Sequence, residues 1–255
     1  MTLPPLLRPD WPAPPGVIAG MSQRAGGVSV GPWASLNMGG TVGDEATAVA
    51  ENRARFTAAL GARPVWLHQV HGARVVRLRG DAAEFPTPAA DAAWTSDPGL
   101  ACAVLVADCL PVLMALRDGR AVAAAHAGWR GLAAGVLEAT VQALCAGTGA
   151  GAGDIVAWLG PCIGPRQFEV GADVLRACGA EDSAAAAACF GFRPRADGSP
   201  RWLADLPRLA RGRLQGVGVE IVSEAGACTV EDASSFFSFR RDGITGRHAA
   251  AVWRG

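Results

Sequence analysis

The sequence has no lysine and no tyrosine, and only four histidines among its 255 residues. All 23 basic residues are therefore arginines, and 23 acidic residues scattered along the chain balance them to a formal charge of zero. With no excess of either sign and no arginine cluster, there is no electrostatic footprint for nucleic acid or for an anionic membrane surface, and a small-molecule partner is expected instead. Long hydrophobic runs are missing too. The Ala-rich stretches are interrupted by Gly, Pro and Arg before they reach the roughly 18 residues a transmembrane helix needs. Met1–Pro15 is rich in Pro and lacks the apolar core of a signal peptide, so it reads as an extended, uncleaved arm and the protein as cytoplasmic. Seven cysteines, an odd number without an export signal, argue for reduced thiols rather than a disulfide framework.

Half of the chain is hydrophobic, enough for a sizeable core, and one α/β domain over residues 1–255 is the economical organisation. No internal repeat is present. Thr47–Leu60 places Val49, Arg53, Phe56 and Leu60 on one stripe and predicts a helix; Leu132–Cys145 repeats the pattern through Val136, Ala139 and Ala143. A third helix is expected from Leu206 to Leu214, with Pro207 in its first turn. Short apolar runs predict strands at Val75–Leu78, Cys102–Ala107, Val112–Leu116, Ala121–Ala125, Ile155–Leu159 and Glu220–Val222. Cys102–Ala107 and Val112–Leu116 are too close for an intervening helix, so the sheet is expected to be mixed. Gly147–Gly153 and Arg193–Arg201 read as surface loops.

Three histidines stand in Gly-flanked or strand-terminal segments: His68 and His71 in Leu67-His68-Gln69-Val70-His71-Gly72, and His126 in Ala125-His126-Ala127-Gly128-Trp129-Arg130-Gly131. In an extended segment, residues three apart face opposite sides, so one of His68 and His71 must be chosen as a ligand. His71 is chosen because Gly72 lets the chain turn beside it. Asp108-Cys109 lies at the end of one apolar run, as His126 does at the end of another. Two imidazoles and a thiolate meeting at the strand ends make a three-ligand site for a borderline-soft divalent cation with a fourth position open. Zinc there generates hydroxide near neutral pH. Gly128, Arg130 and Gly131 precede a helix, where an anion such as phosphate is favoured, and Arg130 is the expected anion contact. Asp108 is the nearest candidate for proton transfer. Cys102 and Cys145 fall in apolar patterns and are assigned to the core. Cys162 lies in a turn and ranks below the three ligands.

Taken singly, each of these residues is more often structural; their convergence carries the argument. Four functions remain open on the residues: a zinc enzyme of hydrolysis, deamination or phosphorolysis, a copper oxidase of phenols, a metal-free hydrolase with Cys109 as nucleophile and His126 as base, and a structural zinc module. Copper chemistry of the multicopper type needs about ten histidines. A structural zinc site usually has four protein ligands.

At these residues the chain resembles the YfiH-like proteins, also called laccase-domain or polyphenol oxidase proteins. The resemblance runs through Ser22–Ser29, Ser35-Leu36-Asn37, Asn52-Arg53, Gln69-Val70-His71-Gly72, Ala107–Pro111, His126–Gly131, Gly160–Gly164, Phe168-Glu169-Val170, Cys228-Thr229, Phe236–Asp242 and Gly246-Arg247. It implies a layered α/β/β/α fold with mixed sheets, and zinc held by His71, Cys109 and His126. It also implies phosphorolysis of adenosine, inosine and S-methyl-5′-thioadenosine, with adenosine deaminase activity besides. Arg24, Asn37 and Gln69 follow from the same motifs as substrate-lining groups. Gln23 and Phe239 depart from the family's usual Thr and Tyr.

Overall fold

The computed structural model of the chain describes residues 3–80 and 89–255. Fourteen strands are present among them: β1 (Leu6–Leu7), β2 (Val17–Ser22), β3 (Arg63–Val65), β4 (Val75–Arg77), β5 (Ala92–Thr95), β6 (Leu100–Val106), β7 (Leu110–Leu116), β8 (Val122–Ala127), β9 (Ile155–Leu159), β10 (Glu169–Val170), β11 (Phe190–Phe192), β12 (Trp202–Ala204), β13 (Ile221–Glu224) and β14 (His248–Arg254). The helices are α1 (Ala46–Leu60), α2 (Trp129–Ala133), α3 (Val136–Thr148), α4 (Ala172–Ala177), α5 (Ala184–Ala187), α6 (Leu206–Gly216) and α7 (Phe239–Asp242). Every strand expected from an apolar run is found, within a few residues at its ends. Met1 and Thr2 of the expected N-terminal arm lie outside the described residues; the arm further on supplies β1, which pairs with β2.

The strands form a five-stranded sheet in the order β1-β2-β14-β6-β3, a six-stranded sheet in the order β13-β9-β7-β8-β5-β4, and a small sheet β10-β12-β11. Both large sheets are mixed, with β3 parallel to β6 and β4 parallel to β5 beside antiparallel neighbours. One expectation is corrected. β6 and β7 are not partners in one sheet: the chain leaves the five-stranded sheet at Val106 and enters the six-stranded sheet at Leu110, so the short connection is a crossing between layers.

The sheets pack face to face through Met21, Val104 and Val252 on one side and Leu113, Ala124 and Trp158 on the other. Helices α3 and α6 cover the outer face of the six-stranded sheet through Leu137, Val141, Leu144, Leu209 and Leu214. Helix α1 covers the outer face of the five-stranded sheet, setting Phe56 and Leu60 against Ala101, Ala249 and Trp253. The result is a layered α/β/β/α architecture. Strands β7 and β8 are buried along their whole length, which is why they read as unbroken apolar runs instead of alternating patterns. Alanine dominates β8 and the middle of β14 because layers press on both faces and leave little space for side chains.

The helix expected over Leu132–Cys145 is two helices. Gly135 takes φ +84° between α2 and α3, a conformation its lack of a Cβ permits. The loop expected at Gly147–Gly153 starts later than its composition implied, since Gly147 and Thr148 close α3. Helix α6 begins as expected, with the Asp205 carboxylate accepting the Arg208 N–H at 2.9 Å and Pro207 in the first turn. No helix among the described residues is long and apolar enough to cross a membrane.

Gly147 stands in a helix because of its neighbour: a Cβ there would penetrate the indole of Trp94, which is buried on β5 and carries the Arg77 guanidinium 4.7 Å from its ring centroid. Gly147→Ala gains helix propensity yet overpacks this contact. A net destabilisation of about 1–3 kcal/mol is expected, read as a lower urea midpoint at unchanged m-value.

Candidate metal centre

The crossing from β6 to β7 presents Cys109 at the seam between the sheets. Asp108, the residue before it, takes φ +85°, and its carboxylate fixes that turn: Oδ1 accepts the Thr229 hydroxyl at 2.6 Å and Oδ2 accepts the Arg240 N–H at 2.6 Å. His71, in the loop between β3 and β4, takes φ +60°. Its turn is fixed in the same way, because the buried Asp91 carboxylate accepts the backbone N–H groups of Val70 at 3.1 Å, His71 at 2.9 Å and Gly72 at 2.8 Å. These two are the non-glycine residues of positive φ among the described residues. Such conformations cost on the order of 1–3 kcal/mol each, and each is held by a carboxylate accepting several hydrogen bonds.

Asp91 also orients the third donor. His126 lies near the end of β8 and is 3% exposed. Its backbone N–H donates to the Asp91 carbonyl at 2.7 Å, and its Nδ1 is 2.8 Å from the Asp91 carboxylate. A proton on Nδ1 satisfies that bond and leaves Nε2 facing the other two donors.

Ligand atoms of His71, Cys109 and His126 all lie within 4.8 Å of one another, with Cys109 Sγ 4.0 Å from His71 Nε2. The two imidazoles meet edge-on, 73° apart with centroids at 4.8 Å. Gly128 closes the cradle from below: a Cβ there would stand 2.8 Å from Cys109 Sγ and 3.4 Å from His71 Cδ2. Tetrahedral zinc sets N and S donors about 3.3–3.6 Å apart at ordinary bond lengths, so this set fits a cation after a modest contraction. On its open side the cluster faces a cleft of about 640 Å³ also lined by His68, Gln69, Trp66, Arg53, Phe239 and Arg247.

Electrostatics bind the donors into a unit even without a cation. Burial pushes the Cys109 thiol up, but the His126 imidazolium beside it, with hydrogen bonds from His126 and His71, brings it down to about 6. Burial disfavours the charge on His126, and the Cys109 thiolate and Asp91 carboxylate outweigh it, lifting the imidazolium to about 9. Asp91 stays below the usual carboxylate range: the bonds from His126, Gly72 and Val70 outweigh its burial.

Residues 18–255 match the family described as multi-copper polyphenol oxidoreductase laccase. The chain belongs to this family. Within it, the chain is 50% identical over 247 residues to a Pseudomonas aeruginosa protein named purine nucleoside phosphorylase, with 97% of each chain covered. It is 49% identical to the Escherichia coli protein named purine nucleoside phosphorylase YfiH, covering 97% of this chain and 98% of that one. Among solved structures, a Neisseria meningitidis protein shares the fold at TM-score 0.88 and 44% identity, with 98% of each chain covered. YlmD from Geobacillus stearothermophilus does so at TM-score 0.87 and 33% identity, covering 100% of this chain and 97% of that one.

The remaining residues expected at the site are distributed unequally. Gln69 lines the cleft, but its amide is engaged: Nε2 donates to the Leu105 carbonyl at 2.8 Å and Oε1 accepts the Leu105 N–H at 2.7 Å. Asn37 is fully buried and holds the adjoining loop, its Oδ1 accepting the Gly39 and Arg247 N–H groups at 2.8 Å each. Arg24 lies outside the cleft lining; Nε donates to the Ala34 carbonyl at 2.7 Å and the guanidinium stacks 5.0 Å over Phe237. Arg130 is exposed in the first turn of α2, 4.3 Å over the Trp129 ring, and is also absent from the lining. Asp108 has both carboxylate oxygens occupied by Thr229 and Arg240. His68 is exposed and lines the cleft beside His71. Cys162 is buried next to Cys228, off the cleft. Asp91 and the cleft-lining roles of Arg53, Arg247 and Phe239 were not anticipated; the available signal for Asp91 was a lone acid inside the apolar run Ala89–Trp94.

In the metal-free protein the Cys109–His126 pair is charged over a definite window. The thiol, with its pKa depressed, loses its charge as pH falls through about 6, and the imidazolium, with its pKa raised, loses its charge as pH rises through about 9. Thiolate absorbance near 240 nm is expected to rise with a midpoint near pH 6 and to vanish in Cys109→Ser; a midpoint near that of a free thiol would contradict the ion pair. Asp91→Asn keeps all three donors but loses the negative charge and one of the two acceptor oxygens that aim His126 and fix the His71 turn. Its zinc affinity, measured by chelator competition, is expected to fall about 10–100-fold.

Proposed function

We propose that the protein is a zinc-dependent purine nucleoside enzyme that cleaves adenosine, inosine and S-methyl-5′-thioadenosine by phosphorolysis and also deaminates adenosine. The observation that carries this reading is the three-donor cluster opening into a cleft of nucleoside size, about 640 Å³. The names of the P. aeruginosa and E. coli relatives, matched over nearly the whole chain, support the substrate class. His71, Cys109 and His126 are the residues that would hold the cation, which supplies Lewis acidity to the cleft when bound.

The chain's own groups account for binding and orientation. Phe239, 58% exposed at the cleft, offers an apolar face for a purine ring. Asp91 keeps the His126 proton on Nδ1, and with it the donor nitrogen turned toward the cleft. Asp108 acts here as an anchor of the Cys109 turn, tying it to Thr229 and Arg240.

Copper oxidation of phenols, the chemistry in the family's description, is disfavoured by the histidines. His248 is fully buried, its Nε2 accepts the Phe237 N–H at 2.7 Å, and burial brings its pKa down to about 3, so it is withdrawn from any ligand set. Three histidines remain where a multicopper assembly needs about ten. The charged Cys109–His126 pair does favour one second reading, a thiol hydrolase in which Cys109 attacks and His126 transfers the proton.

Cys109→Ala and His126→Ala are expected to lose both bound metal and adenosine turnover, measured by elemental analysis and product chromatography with and without phosphate. Adenine with ribose 1-phosphate reports phosphorolysis, and inosine reports deamination. Full turnover by metal-free Cys109→Ala would end the metal reading, whereas a substrate fragment trapped on Cys109 of the unaltered protein would move the assignment to the thiol hydrolase.

A further inference from the structure

Phosphorolysis needs a seat for an oxyanion beside the nucleoside, and Arg130 does not line the cleft. Two other arginines line it, Arg53 of α1 and Arg247 just before β14. Neither forms an ion pair among the described residues. Arg53 donates Nε–H to the Met38 carbonyl at 2.9 Å and lies 4.5 Å over the Trp66 ring. Arg247 donates from Nη1 to the carbonyls of Thr245 and Gly246 at 3.0 and 3.1 Å, which leaves its Nε and Nη2 without a hydrogen-bond partner among the described residues. Both side chains are half-buried, and burial lowers the pKa of both guanidinium groups. On Arg247 burial outweighs the favourable charges of Cys109 and Asp108, and with no ion pair to either guanidinium among the described residues the two cations in one cleft are costly unless an anion completes them.

Their spacing is set by a single stretch of backbone. The Met38 N–H donates to the Arg247 carbonyl at 3.0 Å while the Met38 carbonyl accepts from Arg53. The next two residues are glycines. A Cβ on Gly39 would come 2.8 Å from Arg247 Cγ, and one on Gly40 would come 3.7 Å from Arg53 Nη2. The Arg247 stem and the Arg53 guanidinium therefore lie against two consecutive residues of one loop, and Gly39 is required for Arg247 to pass.

We propose that Arg53 and Arg247, set against Gly39-Gly40, form the subsite that holds the phosphate dianion attacking the nucleoside. Planar guanidinium forks with free N–H donors suit a tetrahedral oxyanion. This rests on the nucleoside phosphorylase reading, and it gives that reaction its second substrate. In the step, a phosphate oxygen forms the new bond to C1′ and the C1′–N9 bond breaks with its electron pair going to N9. The proton of the phosphate dianion ends on the released purine, so nucleoside and hydrogen phosphate yield free base and ribose 1-phosphate with no other reactant.

The test is titration of the zinc-loaded protein with inorganic phosphate, followed by calorimetry and by 31P line width. Arg53→Met, Arg247→Met and, as comparison, Arg130→Met are titrated alongside, with melting temperatures to verify folding. Tenfold or greater weakening of phosphate binding is expected in the first two and none in the third, with a matching rise in the KM for phosphate. Arg53→Lys and Arg247→Lys should recover part of the affinity by restoring the charge without the fork. Equal phosphate affinity in all folded variants overturns the subsite. A parallel titration with adenosine 5′-monophosphate separates sources: binding of the nucleotide with no binding of inorganic phosphate also overturns it. Failure of the nucleoside reading looks different, as arginine-dependent phosphate binding in a protein that forms no ribose 1-phosphate.

Discussion

The Asp91 carboxylate accepts four hydrogen bonds: three from the backbone of residues 70–72 and one from the imidazole of His126. Among the described residues His71 itself has no strand partner, and a histidine with positive φ does not stay in place unaided. The His126 ring would otherwise be free to choose its tautomer and its tilt. One buried negative charge resolves both problems, and its own burial is tolerable because each oxygen accepts two donors. A neutral replacement of similar shape alters geometry and charge together, since it substitutes donors where acceptors are needed.

A second carboxylate repeats the device at the other donor. Asp108 holds its own unusual turn through Thr229 and the backbone of Arg240, residues from a different part of the chain. That same part carries Phe239 and leads to Arg247 at the cleft wall. The three-donor cluster and the wall of the cleft are thus fastened to each other through the Asp108 side chain. Arg24 and Asn37 belong to a comparable framework, holding loops through the Ala34 carbonyl and through the N–H groups of Gly39 and Arg247.

The strands were legible because their burial on both faces leaves a plain apolar run, and the donors His71, Cys109 and His126 were legible because each stands where such a run ends or a glycine follows. The helix pair α2 and α3 read as one because Gly135 interrupts the chain without interrupting its apolar period. Arg130 was expected at the anion site on the assumption that the helix begins near Leu132; it begins at Trp129, which turns Arg130 outward onto the indole. β5 escaped notice because Ala92-Ala93-Trp94-Thr95 has little β-branched character, and with it went Asp91, whose role depends on the register that sets Ala92 against Ala125. Arg53 and Arg247 are far apart in sequence, and only the fold shows that both lie in one cleft and that neither is ion-paired among the described residues.

Strand β14 lies in the interior of the five-stranded sheet, hydrogen-bonded to β2 on one edge and to β6 on the other. During synthesis the five-stranded sheet cannot close until this strand has emerged from the ribosome, by which time His71, Cys109 and His126 have long been translated. Contacts of such long range form late and slowly. The nascent chain therefore passes through a stage in which its Cys109 thiol is made while the sheet beside it is still open.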